Sequence, residues 1–291
     1  MYDVAIVGSG PAGISAALNL KLHNKKVIWF GSRELSAKVE KSEKIANYPG
    51  ADMVSGKELN SLFLRQIENG GMEITDKMVT NITSSRKGFM LLGGNEIYEA
   101  KAVLLATGSV SAKGFEGEEN LLGHGVSYCA TCDGFLYKDK TIAVFCGAKR
   151  YEREVEYLAG MAEKLFLFAP YEDCEIDLPN VQYLGKTFGS VCGGEKVDAL
   201  KLIDGTLLSV DGVFVLRNSV APATLLKGLE MNGAHIAVNR NMETKKTGCF
   251  AAGDCTGRPY QIAKAVGEGN IAAHSILEYL SKCEKSKDGL A

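Results

Sequence analysis

A glycine motif near the N-terminus constrains the fold of this chain more than any other feature. The segment Gly8-Ser9-Gly10-Pro11-Ala12-Gly13 lies between a β-rich run, Tyr2 to Val7, and an apolar helical run, Ile14 to His23, and Val27 to Phe30 reads as a further strand. Glycines spaced in this way allow a tight turn, close approach of the backbone to a pyrophosphate, and close packing of helix on strand. The free amides at the helix start favour phosphate. The motif therefore predicts a dinucleotide site, with Glu34 as a candidate for the ribose ligand.

The same strand–turn–helix pattern returns in the middle of the chain. A strand is predicted at Ile142 to Phe145, a helix at about 150 to 159, and a strand at Leu165 to Phe168. We expect the remaining members of this second sheet at Val181 to Leu184, Leu200 to Ile203 and Val213 to Leu216. Near the C-terminus another strand leads into a glycine turn and then a long helix, Gln261 to Leu280. With 291 residues, about two domains at ~150 residues each, the chain is predicted to be α/β with two sheets.

Charge and hydropathy exclude several classes of partner. The formal net charge is −2, so no global field draws the chain onto nucleic acid or an anionic membrane. No apolar run reaches the ~18 residues of a membrane span, and the first residues show no leader-like segment. We expect a soluble cytoplasmic protein that binds neither nucleic acid nor membrane.

A pair of closely spaced cysteines carries the chemistry. Cys129 and Cys132 are separated by two residues and followed by Asp133. Two thiols at this spacing at a helix start can close a strained disulfide, helix amides lower one thiol pKa, and a neighbouring carboxylate can shuttle a proton. Structural zinc is the competing interpretation, but it needs two further ligands at matching spacing. Redox chemistry is favoured, and no metal is expected.

Four motifs in order along nearly the whole chain make it resemble the low-molecular-weight thioredoxin reductases, which are FAD-binding disulfide reductases. They are the glycine motif at 8–13, Asn47-Tyr48-Pro49-Gly50, the segment 129–134, and Phe250-Ala251-Ala252-Gly253-Asp254. The resemblance implies two Rossmann-like three-layer domains, with a dithiol domain inserted into a discontinuous FAD domain. The implied bounds are 1–113 with 244–291 for FAD, and 118–243 for the insert.

The resemblance also implies the roles of individual residues. Cys132 would face the flavin, Cys129 would attack the disulfide of thioredoxin, and Asp133 would act as acid and base. Homodimerisation is implied as well. The implied FAD ligands are Gly8, Ser9, Gly10, Pro11, Ala12, Gly13, Asn47, Ala106, Thr107, Gly108, Gly253, Asp254, Gln261 and Ile262.

The resemblance breaks at the second glycine turn. Where NADPH-dependent members carry GxGxxA, this chain has Cys146, Ala148 and Tyr151, and the next strand is followed by Glu172 and Asp173 rather than by a basic cluster. Side chains at these positions block a pyrophosphate, and the carboxylates repel a 2′-phosphate. The chain therefore resembles the ferredoxin-dependent flavin thioredoxin reductases, which implies reduced ferredoxin as the electron donor, with flavodoxin as the alternative for this chain.

Three rival functions remain open on the sequence. The first is NAD(P)H reduction through a degenerate site, the second is a diflavin enzyme, and the third is a non-enzymatic flavin and dithiol sensor. Basic side chains that could meet an acidic ferredoxin are Lys149, Arg150, Arg153, Lys138 and Lys140.

Overall fold

A computed structural model describes residues 1–108, 114–118, 120–128, 130–217 and 222–288. The strands of this part of the chain are β1 Tyr2–Val7, β2 Val27–Phe30, β3 Val79–Ser85, β4 Gly88–Gly93, β5 Glu96–Leu105, β6 Val126–Ser127, β7 Thr141–Cys146, β8 Lys164–Phe168, β9 Val181–Gly185, β10 Ser190–Gly193, β11 Val197–Lys201, β12 Leu207–Ser209, β13 Gly212–Leu216, β14 Met231–Asn232, β15 His235–Ile236 and β16 Cys249–Ala251. The helices are α1 Pro11–Leu22, α2 Ala37–Glu40, α3 Gly56–Asn69, α4 Ala130–Asp133, α5 Glu152–Ala159, α6 Pro222–Leu225 and α7 Ile262–Asp288.

The chain divides into two compact units, Met1–Ser111 with Pro222–Ala291, and Ala112–Ala221. The insert predicted at 118–243 extends beyond the second unit. The physical reason is that residues after 222 pack on the first unit: α6 lies against β3, and Met242 is part of the first unit's core. The predicted α/β class is confirmed by the parallel sheets described below.

The first unit is built on a six-stranded sheet in the order β2-β1-β5-β4-β3, with β16 also paired to β5. The long strand β5 joins the antiparallel and the parallel part of this sheet. Its N-terminal part pairs antiparallel with β4, and its C-terminal part lies parallel between β1 and β16. The carboxyl ends of β1, β5 and β16 therefore meet at one edge. Helices α1 and α7 pack along each other, and their apolar side chains form one core with those of the sheet.

Local signals explain the helices of this unit. Helix α1 starts with Pro11 in its first turn, where a missing N–H costs nothing. Helix α3 has a capping box, in which the Ser55 hydroxyl accepts from the Glu58 amide and the Glu58 carboxylate accepts from the Ser55 amide. It ends before Gly71, which adopts a positive φ of 58°.

The second unit contains a five-stranded parallel sheet in the order β6-β13-β7-β8-β9 and a separate three-stranded antiparallel sheet, β10-β11-β12. The sequence-based assignment of 200–203 to one sheet with β7 and β8 was wrong, because this strand spans Val197–Lys201 and belongs to the antiparallel sheet. Strand β11 pairs antiparallel with β10 and β12, and it buries Val197 and Leu200 without a regular alternation, so periodicity does not distinguish it from a strand of the parallel sheet. The parallel sheet instead contains β6, a two-residue strand that is too short to show a sequence pattern.

Two glycines of α7 provide a test of the packing of α1 on α7. Gly269 is buried, and a Cβ there would collide with the carbonyl of Ala12 in α1, whereas a Cβ at exposed Gly267 would meet nothing within 4 Å. We expect Gly269→Ala to lower the free energy of unfolding by ~1–3 kcal/mol through overpacking. We expect Gly267→Ala to raise it by ~0.5–1 kcal/mol, because alanine favours the helix. Urea denaturation of the two variants measures both changes, and equal effects would contradict the close approach.

Candidate functional site

The first glycine turn is held closed by hydrogen bonds to β2. The Gly8 amide donates to the Phe30 carbonyl at 2.8 Å, and the Trp29 indole donates to the Gly8 carbonyl at 2.9 Å. Gly8 has φ +120°, and a Cβ on it would collide with the Ala106 carbonyl. A Cβ on Gly13 would collide with the Gly8 carbonyl. These two glycines are therefore required by contacts within the protein itself.

The middle glycine of the motif has the opposite surroundings. A Cβ on Gly10 would meet no atom within 4 Å, so this side of the turn is open. Gly10 is the N-cap of α1 and makes no side-chain capping bond, and the first turn of α1 contains no acidic residue. Free amides and the positive end of the helix dipole therefore face open space. Of the predicted ligands in the turn, Ser9 is already engaged, since its hydroxyl donates to the Ser32 carbonyl at 2.8 Å.

A second turn, Gly253 to Gly257, lies beside the first turn of α1. Gly253 has φ +90°, and a Cβ there would be 3.0 Å from the Cβ of Ala12. The Ala252 amide donates to the Leu105 carbonyl at 3.0 Å, which fixes this turn against the end of β5. The predicted residues Gly108 and Asp254 line the same small cleft. Its lining residues are Gly108, Pro222, Ala234, His235, Asp254, Cys255 and Tyr260.

Two residues of α7 hold the Gly253 turn in place. The Lys264 ammonium donates to the carbonyls of Gly253 and Gly257, each at 2.8 Å, and the Glu268 carboxylate accepts from the Gly253 amide at 2.8 Å. Lys264 and Glu268 also form an i,i+4 ion pair at 3.1 Å, with about one sixth of each side chain exposed. The conformation that presents Asp254 is therefore determined by the helix that follows it. Sequence reasoning missed both residues, because no local pattern indicates either role.

Predicted ligands from distant parts of the chain meet at the start of α7. The Asn47 amide donates to the Gln261 side chain at 2.9 Å. Asp254 accepts from Lys38 at 2.6 Å, and its side chain is 15% exposed. Ile262 begins α7 and is half-buried. The structure thus brings Asn47, Gln261 and Ile262 together, and places Asp254 beside a lysine that the sequence analysis missed.

Sequence reasoning overlooked Lys38, which pairs with Asp254, and the cleft residues His235 and Tyr260. The His235 ring nitrogen lies 2.7 Å from the Tyr260 hydroxyl, and the Lys38 ammonium lies 4.7 Å from the centre of the Tyr260 ring. Nothing in the sequence links positions so far apart. Tyr260 alone carried a signal, because it directly precedes Gln261.

These residues fit a flavin dinucleotide. The open face at Gly10 offers amides to a pyrophosphate, and the cleft at Gly108 and Asp254 offers a carboxylate to hydroxyl groups. Ala106 and Thr107 continue β5 towards this cleft. Glu34 is exposed and follows Ser32, whose hydroxyl accepts from the Glu34 amide at 3.1 Å.

Part of the thiol motif is described. Cys129 lies outside the described residues, and of Cys132 only the backbone, in α4, is described. The Asp133 carboxylate accepts from the Ser127 hydroxyl at 2.6 Å. Immediately after α4, Phe135 and Leu136 are 62% and 54% exposed. An apolar surface therefore adjoins the carboxylate for which proton transfer is predicted.

The second glycine turn is filled by protein atoms. Cys146 is fully buried, and its Sγ lies 3.2 Å from the Tyr171 hydroxyl, which in turn donates to the Glu152 carboxylate at 2.9 Å. Tyr151 is buried in the same core. Burial raises the pKa of Cys146 to about 11 and also raises the pKa of Tyr171. Side chains therefore occupy the space beside this turn.

The charge at this second helix start is also wrong for phosphate. A 3₁₀ turn, Lys149–Tyr151, precedes α5, and Glu152 and Glu154 stand in its first helical turn. Carboxylates at a helix N-terminus use the dipole that a phosphate would need. The nearby basic residues are themselves engaged: Lys149 pairs with Glu175 at 2.6 Å, and Arg150 donates to the Tyr151 hydroxyl at 2.8 Å.

Two negative findings concern the described part of the chain. Within it, no helix is both long and apolar enough to cross a membrane. The same residues contain no group of three or more His, Cys, Asp or Glu side chains arranged to hold a metal ion.

Comparisons with known proteins agree on one family. The family model for pyridine nucleotide-disulphide oxidoreductases matches residues 2–149 and 181–269. A thioredoxin reductase of Aquifex aeolicus is 32% identical, covering 98% of this chain and 95% of the relative, and one of Listeria monocytogenes is 29% identical, covering 100% and 98%. The crystal structure of a ferredoxin-flavin thioredoxin reductase from Clostridium acetobutylicum is 44% identical with a TM-score of 0.92, covering 97% of this chain and 98% of that one.

Thiol reactivity tests the burial of Cys146, Cys249 and Cys255. Burial raises the pKa of Cys146 and Cys255 to about 11 and that of Cys249 to about 12. At pH 8 a thiol of pKa ~11 is about one part in a thousand thiolate, so it reacts slowly with alkylating agents. We expect iodoacetamide to leave these three cysteines unmodified in the native protein, as measured by mass spectrometry of peptides. Urea-unfolded protein is the control, and rapid native modification of Cys146 would show that the second turn is open.

Proposed function

The chain belongs to the pyridine nucleotide-disulphide oxidoreductase family, and on that premise we propose that it passes electrons from reduced ferredoxin through FAD to the disulfide of thioredoxin. It is a flavoprotein disulfide oxidoreductase with thioredoxin reductase function. The finer parts of the proposal are the identity of the flavin, the residues that hold it, and the electron donor. Homodimerisation stays a prediction.

The first unit supplies the residues that would hold FAD. The amides around Gly10 would bind the pyrophosphate, and Asp254 would accept hydrogen bonds from hydroxyl groups of the ribityl chain. Asn47, Gln261 and Ile262 would border the ring at the start of α7. When bound, FAD supplies the ability to take up single electrons and to release them as a pair.

The thiol pair would do the chemistry on the partner. The Cys129 thiolate attacks one sulfur of the thioredoxin disulfide, forming a mixed disulfide and releasing the other sulfur as a thiolate. Cys132 then attacks the Cys129 sulfur, which re-forms the Cys129–Cys132 disulfide and releases reduced thioredoxin. Asp133, whose carboxylate is already hydrogen-bonded to Ser127, would carry a proton between these sulfurs and water. Exposed Phe135 and Leu136 give a protein substrate an apolar surface beside the motif.

The filled second turn is the observation that carries the choice of donor. A nicotinamide dinucleotide needs backbone amides and space at this turn. There, however, the Tyr171 hydroxyl is hydrogen-bonded to both Cys146 and Glu152. A one-electron protein donor needs no such cavity. Two reduced ferredoxins and two protons then balance the reduction of one disulfide to a dithiol. Support also comes from the range of the family model, which leaves out residues 150–180, where Glu152 and Tyr171 lie.

A reductive titration decides the donor. Under anaerobic conditions we expect reduced ferredoxin to bleach the flavin absorbance, and NADPH or NADH in large excess to leave it unchanged, because the second turn offers no phosphate site. The absorbance of the oxidised flavin is recorded against equivalents of each donor. Rapid bleaching by NADPH would replace ferredoxin with a nicotinamide donor.

The flavin content of the purified protein is the control for this titration. Release of the cofactor followed by chromatography counts the flavins bound to each chain. One FAD per chain agrees with the proposal, two flavins would favour the diflavin enzyme, and none would refute the cofactor assignment.

Trapping of a mixed disulfide tests the roles of the two thiols. In Cys132→Ser the Cys129 thiolate attacks but cannot be resolved, so we expect a stable covalent adduct with oxidised thioredoxin. In Cys129→Ser we expect none. Mass spectrometry of both mixtures, with and without dithiothreitol, measures the adduct.

Cys192→Ser is the matched control, because it removes a half-buried cysteine of the same unit and leaves the pair intact. It should turn over normally without an adduct. An adduct through Cys132 alone would reverse the two roles, and no adduct from either variant would argue against thioredoxin as substrate.

A further inference from the structure

The parallel sheet of the second unit brings two neighbouring strands to an end at one edge. Strand β6 pairs with β13 in the register Val126 with Val213 and Ser127 with Phe214. Tyr128 follows β6 and Arg217 follows β13. Because the carboxyl ends of parallel strands lie on the same edge, these two side chains are placed close together.

A buried carboxylate joins them. Glu118 is fully buried, and its Oε1 accepts from the Tyr128 hydroxyl at 2.7 Å and from the Arg217 guanidinium. Its other oxygen, Oε2, accepts from the Phe115 amide at 2.8 Å. The Arg217 guanidinium also lies 5.7 Å from the centre of the Tyr128 ring, and its side chain is 12% exposed. Both carboxylate oxygens are therefore used, and each partner comes from a different segment.

Glu118, Arg217 and Tyr128 come from three positions in the second unit that matter for the thiol pair. The second unit begins at Ala112 and ends at Ala221, so Glu118 and Arg217 stand near its two ends. Tyr128 directly precedes Cys129. One buried ion pair thus holds both ends of the unit and the residue next to the attacking cysteine.

We propose that Glu118, Arg217 and Tyr128 form a positioning network for Cys129, which fixes the backbone ahead of this thiol for its attack on the partner disulfide. The kinetic part rests on the proposed function. The three residues act through the chain and do not touch the substrate. A thiol displaced by an ångström from its line of attack reacts about a hundredfold more slowly, so fixing the preceding residue has a large effect on rate.

Tyr128→Phe is the sharpest variant, because it removes one hydroxyl and keeps the ring. Hydrogen–deuterium exchange of the full chain reports on the backbone without any partner. We expect amides of peptides that cover 126–134 to exchange about tenfold faster, as a local opening becomes easier, while other peptides stay unchanged. In the Cys132→Ser background we expect the maximal rate constant for adduct formation with thioredoxin to fall about tenfold or more. The thioredoxin concentration that gives half of this maximal rate should change little.

Tyr183→Phe is the matched control. Its hydroxyl also donates one hydrogen bond, to the Ala169 carbonyl at 3.2 Å, but it belongs to β9 at the opposite edge of the sheet. It should change neither measurement. Equal effects of both variants would mean that the network has only a general structural role.

Each outcome decides a separate point. Unchanged exchange in Tyr128→Phe overturns the network, and faster exchange with an unchanged adduct rate overturns its role in attack. No adduct in the Cys132→Ser parent would refute thioredoxin as substrate, and the exchange result would still decide whether the network fixes this segment. Glu118→Gln serves as a second variant. It keeps the shape of the side chain, leaves Arg217 without its anion, and should enlarge both effects; if it fails to fold, Tyr128→Phe still decides.

Discussion

Close contact of backbones around the first glycine turn is the constraint on which the first unit depends. Gly8 touches the carbonyl of Ala106, Gly13 touches the carbonyl of Gly8, and Gly269 brings α7 against Ala12. Any Cβ at these positions would separate a strand end or a helix from its neighbours. With the backbones this close, the start of α1 at Gly10 is left open and the Gly253 turn lies beside α1. The packing of α1, α7 and the sheet and the proposed binding of the cofactor at Gly10 therefore place the same requirement on the sequence.

The second unit keeps the parallel sheet but uses the equivalent turn differently. The Tyr171 hydroxyl is hydrogen-bonded to both Cys146 and Glu152, so these polar groups at the helix start are partnered within the protein. The parallel strands do not need an open turn, since their ladder is made by backbone groups alone. A parallel sheet can thus persist with this turn filled, and the ability of the turn to bind a nucleotide has to be judged from the space and charge there.

Strong local patterns made much of this structure predictable. The strands Tyr2–Val7 and Val27–Phe30 and the helix α1 follow from periodicity and glycines, and the altered second turn was visible from Cys146 and Tyr151. Residues that act through long-range contacts were not predictable, because no local signal links them. Lys38 beside Asp254, His235 beside Tyr260, and Glu118 beside Arg217 each join positions that only the tertiary fold brings together. Strand β6 was missed because two residues carry no period.

The interlocked side chains at the second turn make the space there hard to open. Replacing Cys146 with glycine would leave a hole in a core where that residue is fully buried. Removing the Tyr171 hydroxyl would take one donor from the Glu152 carboxylate, which is 9% exposed. Each of these single substitutions lowers the stability of the fold. Neither creates affinity for a phosphate, because the first turn of α5 would still carry its acidic residues. Evolution, or a protein engineer, would therefore have to change several residues together to form a nucleotide site here.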